Sequence, residues 1–197
     1  MQQNNQQHQP FFKEKWFFIL LAVSFVVVIV SVVFKLFTPP TPKLAPAQDN
    51  SWQGITPGFS DLADVQAKMG EPIKIEKTTF GTKLQYRSKY PTMPHEIQTN
   101  QQGEVQFIKQ YLDYENPENI NDYQGSFGEA DLELFMLNNS PLKAYIYLDK
   151  GVVILAHSSD GAVEQKWYFT PTTKKAFLQS WGKNLSKKGS GPEEFNP

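Results

Sequence analysis

From Trp16 to Phe34 the chain runs nineteen residues without a charge, built from Val, Ile, Leu and Phe and interrupted only by Ser24 and Ser31. At 1.5 Å rise per residue a helix of that length approaches the roughly 30 Å hydrocarbon core of a bilayer. The two serines can return their hydroxyls to carbonyls one turn back, so neither forbids insertion. Trp16, Phe17 and Phe18 at one end and Phe34 and Phe37 at the other suit interfacial aromatic belts. The reading is an uncleaved signal anchor over 16–37, held in the lipid bilayer. A cleaved signal peptide is the rival, since Ala45-Pro46-Ala47 has the small-residue form of a cleavage site. That triplet lies well past the apolar run, and the run exceeds a signal core of about 7 to 15 residues. Flanking lysines tie, Lys13 and Lys15 against Lys35 and Lys43. The free amino terminus adds one charge before the span, which orients the N-terminus to the cytoplasm and the rest outside.

Acidic and basic residues nearly cancel, 20 against 19, and Arg87 is the only arginine. A reader of phosphate backbones carries an arginine-rich basic excess, so no nucleic-acid partner is expected. The chain has no cysteine, which excludes disulfides, a thiol nucleophile and a thiolate metal site. No cofactor and no metal is expected.

Residues 1–15 read as a polar, disordered tail, 38–54 as a proline-rich linker and 185–197 as a second tail. The domain is placed over 55–184. It begins with a helix capped by Ser60 or Asp61, with Leu62, Val65 and Met69 on one face and Gly70 as its stop. Period-two strands follow, and the same order then recurs. A shift of 58 residues lays Gly70 on Gly128, Glu71 on Glu129, Gly103 on Gly161 and Val105 on Val163. Two degenerate repeats result, about 55–114 and 115–170, with a C-terminal helix over 171–182. The expected fold class is α+β: an N-terminal single transmembrane helix, then two helix-plus-antiparallel-strand repeats forming one sheet, helices on one face.

Pro57-Gly58, Leu62, Val65, Met69-Gly70-Glu71-Pro72, Tyr86 and Gly103-Glu104-Val105, with the weaker copies Gly128-Glu129, Tyr147 and Gly161-Ala162-Val163, resemble the repeats of the beta-lactamase inhibitor proteins and of the SmpA/OmlA envelope lipoproteins. The similarity covers roughly Ile55 to Phe169. It implies a concave sheet that binds another protein without catalysis, and export from the cytoplasm. Ala130 replaces the second repeat's proline, and neither the lipoprotein's cysteine nor the inhibitors' disulfides have a counterpart here. Beta-lactamase inhibition is therefore not carried over.

Catalysis has few residues to pass through. His157-Ser158-Ser159-Asp160 offers the right side-chain types, but consecutive strand residues point to opposite faces instead of converging. Aromatic residues are the stronger hint. Tyr145 and Tyr147 alternate onto one face, and with Tyr86 and Trp167 they form the expected protein-binding platform, if that face is open. The expected function is thus a membrane-anchored extracytoplasmic protein-binding module of the cell envelope with no catalytic residue. The alternative is an envelope enzyme or small-ligand sensor with His157 or His95 in a pocket.

Overall fold

The computed structural model describes residues 50–137 and 140–187. The expected span at 16–37, the tail over 1–15 and most of the linker lie outside the described residues. The elements are α1 (Leu62–Met69), β1 (Lys74–Thr78), β2 (Gly81–Tyr86), β3 (His95–Asn100), β4 (Val105–Tyr111), α2 (Ile120–Phe127), β5 (Leu132–Met136), β6 (Leu142–Tyr147), β7 (Val152–His157), β8 (Val163–Phe169), α3 (Lys174–Ser180), a 3₁₀ turn (Gly182–Asn184) and β9 (Leu185–Ser186).

Each of the first two helices starts and stops for local reasons. Asp61 and Asp64 cap α1 reciprocally: the Asp64 N–H donates to Asp61 Oδ1 at 3.0 Å, and the Asp61 N–H to Asp64 Oδ2 at 3.1 Å. Asn119 caps α2, its Oδ1 accepting from the Asn121 N–H at 3.0 Å. Gly70 ends α1 at φ 71° and Gly128 ends α2 at φ 81°, the region that glycine enters without a Cβ penalty. The 58-residue shift relates these helices end to end. It also relates the contacts that hold them, since the Leu62 N–H donates to Gly103 O and the Ile120 N–H to Gly161 O, both at 2.9 Å.

One antiparallel sheet takes all nine strands in the order β1-β2-β3-β4-β8-β7-β6-β5-β9. Two four-strand meanders therefore meet at β4 and β8. At that junction Lys109 stands opposite Trp167, its own counterpart under the 58-residue shift. A local two-fold normal to the sheet through this pair relates the repeats, and such an operation keeps α1 and α2 on the same face.

Alternation along the strands splits the apolar residues between two cores. The first runs under α1 and α2 and draws on both repeats: Val65, Leu84, Ile97, Val105, Ile108, Ile120, Val152 and Ile154. The second lies on the opposite face, under α3, and comes almost wholly from the second repeat: Leu134, Leu142, Ile146, Val153, Leu155 and Phe169 around Phe177.

These observations correct the expected architecture. The domain is dominated by a nine-strand antiparallel sheet, with three helices of seven or eight residues. The helices lie on both faces, not one. Among the described residues no helix is long and apolar enough to cross a membrane. Three boundaries move as well. Asn50 and Trp52, placed in the linker, are buried, and Trp52 bridges Ile55. Leu185–Ser186, placed in a tail, pair with β5 as β9. The C-terminal helix starts after Thr173, whose hydroxyl accepts from the Ala176 N–H, and not at Thr170-Pro171.

Candidate binding groove

Among the described residues α3 covers only the second repeat, which leaves the same face of the first repeat without a covering element. Registered neighbours share a face in an antiparallel sheet, so Lys83 with Gln98, Gln85 with Glu96, and Lys109 line up on it. Glu96 centres this row: Lys83 Nζ lies 2.9 Å and Lys109 Nζ 3.7 Å from its two carboxylate oxygens. The open face is thus charged and amide-bearing, which is why it tolerates solvent.

Where the open face meets the end of α3, a groove of about 460 Å³ forms between Thr82, Gln98, Gln106, Gln179 and Trp181. Trp181 is fixed by stacking on Phe107, ring centres 4.5 Å apart and planes at 19°. At the opposite rim Phe80 projects from the β1–β2 turn with 83% of its surface exposed. The amides of Gln98 and Gln179 have no hydrogen-bond partner among the described residues, and each can donate and accept. Lys83 and Lys183 are the charged residues of the lining, which holds no carboxylate.

The expected aromatic platform does not occupy this place. Tyr145 and Tyr147 do share a face, as strand parity requires, but it is the face beneath α1 and α2. Tyr147 is buried, with Phe127 edge-on at 5.1 Å between ring centres. Tyr145 is half-buried, and Lys143 Nζ sits 5.0 Å from its ring centre. Tyr86 is buried with its hydroxyl 3.4 Å from Gly70 O, and burial raises its pKa. Trp167 lies on the other face, in the second core, its Nε1 donating to Gln165 Oε1 at 3.2 Å. Three of the four are buried, Tyr145 is half-buried, and the set is divided between two faces. Phe80 and Trp181 were missed, although an apolar residue isolated in the Thr79-Phe80-Gly81 turn is a signal of exposure.

No protein-family model matches the chain, and no curated protein matches it. Two solved structures are similar to it. One is YjgB, a DUF4309 family protein from Bacillus subtilis, at 16% identity over 60% of this chain and 84% of that one, with a TM-score of 0.43. The other is an extracellular protein containing an SCP domain from Bacillus anthracis, at 11% identity over 80% of this chain and 57% of that one, with a TM-score of 0.41.

Neither His95 nor His157 lines the groove. His95 is half-buried against Trp52, ring centres 4.7 Å apart, and its Nδ1 accepts from the Tyr111 N–H at 3.1 Å. Burial lowers its pKa. His157 Nε2 lies 3.5 Å from Glu164 Oε2 at the end of β7. Among the described residues no group of three or more His, Cys, Asp or Glu could hold a metal ion.

Proposed function

We propose that this chain is a membrane-tethered binding module of the cell envelope, held by the apolar segment 16–37 with its domain on the extracytoplasmic side. The partner is a protein that lays an extended, polar to acidic segment in the groove between Phe80 and Trp181. The observation that carries this reading is the groove itself: unpartnered amides and two lysines set between two aromatic rims, on a sheet face that the fold leaves open. Free amides match a peptide backbone, which presents alternating donors and acceptors, and fixed aromatic rims give contact area at little entropic cost. The resemblance to envelope proteins that bind through a concave sheet points the same way, and so does the charge pattern around the apolar segment.

Site-specific photocrosslinking tests it in cells expressing the full chain. A crosslinker at Thr82 or Gln179 should give one discrete protein adduct, while one at Glu129 on the opposite side of the domain should not. Identical adduct patterns from all three positions, or none, count against the groove. Protease added outside intact cells should cut the domain. Protection of the domain while a control surface protein is cut would reverse the assigned side.

A further inference from the structure

The two repeats treat their outermost strands differently. In the second repeat the outer strand β5 is closed by β9, with Phe135 opposite Ser186 and Met136 opposite Leu185. Its counterpart β1 ends the sheet at the other side, with no strand beyond it among the described residues. Beside this free edge Ile73 and Ile75 stand 54% and 55% exposed. An edge strand with exposed apolar residues is a template for another strand, and natural edges are often blocked by lysine. Here Lys74 and Lys77 flank a pattern that removes the block in one register.

We infer that β1 pairs antiparallel with β1 of a second copy of this chain, about a two-fold axis through Ile75. This goes beyond the groove reading and does not depend on it. In that register Ile75 meets Ile75 of the second copy, and Lys74 meets Glu76 of the second copy, twice by symmetry. The exposed Ile73 stands opposite the stem of Lys77 of the second copy. Charge complementarity selects this register. Moving the axis to Glu76 would set two carboxylates against each other, and moving it to Lys74 would do the same with two ammonium groups. Within one copy Lys74 and Glu76 already share a face and form an ion pair, so the cross-strand pairs require no new side-chain orientation. The β4–β8 junction is the same kind of contact inside the chain, an antiparallel pairing about a two-fold through Lys109 and Trp167.

The absence of cysteine makes the register directly readable in the full chain, in nonionic detergent micelles. Directly opposed residues bring their Cα atoms to about 4.5–5.5 Å, within disulfide reach. Position 77 would face its own copy only from about four residues away along the strand, roughly 13 Å. Ile75→Cys should therefore oxidise to a dimer, and Lys77→Cys should not. Adding Lys74→Glu to Ile75→Cys should slow dimer formation about tenfold, because both cross-strand pairs turn repulsive. Adding Glu76→Lys to that variant should restore it, and so should mixing Lys74→Glu chains with Glu76→Lys chains. Dimer from position 75 at no more than the yield from position 77 overturns the inference, whether the edge is empty, filled by this chain's own terminal segment or filled by another protein. Rescue failing in both the double variant and the mixture overturns it as well. An unchanged thermal transition in each variant shows that the fold is intact.

Discussion

In the second repeat the strands are apolar on both faces: every residue from Val152 to Ala156 in β7 is buried. In the first repeat only one face is apolar, and β3 alternates Ile97 and Thr99 inward with Glu96 and Gln98 outward. The two meanders share a helix, a glycine stop and a strand order, so backbone architecture does not account for the contrast. The difference is α3, which lays Phe177 and Leu178 over the second repeat and stops at Trp181. A single helix of seven residues thus decides which half of the sheet is buried on both faces and which on one.

The strongest way to break this contrast is to remove the cover. Phe177→Ala should cost about 3–5 kcal/mol, because it empties the centre of the second core. Gln98→Ala, on the open face of the first repeat, should stay within about 0.5 kcal/mol. Urea midpoints at constant slope would check both, and similar losses would mean that the open face is not open in solution.

Gly70 and Gly128 test whether the repeats are equivalent where they look alike. A Cβ at either position meets nothing within 4 Å, so the cost of alanine is purely conformational. With ψ at −151° and −160° both sit in a positive-φ extended region open essentially to glycine alone, so each substitution should lower stability by about 1–3 kcal/mol, and a large inequality in thermal denaturation would show that one helix stop matters more than its copy.

Acid should act through the first repeat. His95 lies there, and its counterpart under the 58-residue shift is Val153, which cannot titrate. Burial lowers the folded-state pKa of His95 below its ordinary 6.5. The unfolded chain therefore binds the proton first, and stability is full above about pH 6.5 and falls as the pH drops from there toward the folded value. His95→Gln should flatten that limb of a pH series, and an unchanged slope would assign it to other groups.

The smallest contrast lies in two tyrosines at matching strand ends. Tyr147 buries a hydroxyl that has no partner among the described residues, whereas the Tyr86 hydroxyl reaches Gly70 O at 3.4 Å. Tyr147→Phe should be neutral or slightly stabilising, and Tyr86→Phe should cost about 0.5–1 kcal/mol. Reversal of that order in paired melts would show that the two ends are solvated differently.

Local signals carried much of the fold. Asp61, Gly70, Gly128 and the turns before Val105 and Val152 could be read because each depends on a few neighbouring residues. Strand parity was equally legible, and it put Tyr145 and Tyr147 on one side. What parity lacks is a reference for which side is covered, and that depends on where α3 docks, a contact made across the whole domain. The apolar doubling of Val152-Val153-Ile154-Leu155-Ala156 was the available clue that the second repeat has cover on both faces, since a half-exposed strand alternates. β9 was out of reach, because Leu185–Ser186 is too short for a period to show.

The junction between β4 and β8 also bears on the order of assembly. Within each meander the strands are joined by short turns, as at Thr78 and Gly81, and closing them confines little chain. Phe107 and Phe169 must meet across the entire second repeat. Joining the ends of a loop that long costs on the order of 2–3 kcal/mol more than joining a turn, by the logarithmic dependence of closure entropy on length. The amides bonded within each meander should therefore gain protection first and those bonded between β4 and β8 last, and pulsed hydrogen exchange during refolding would reveal a sheet whose two halves form before the seam that joins them.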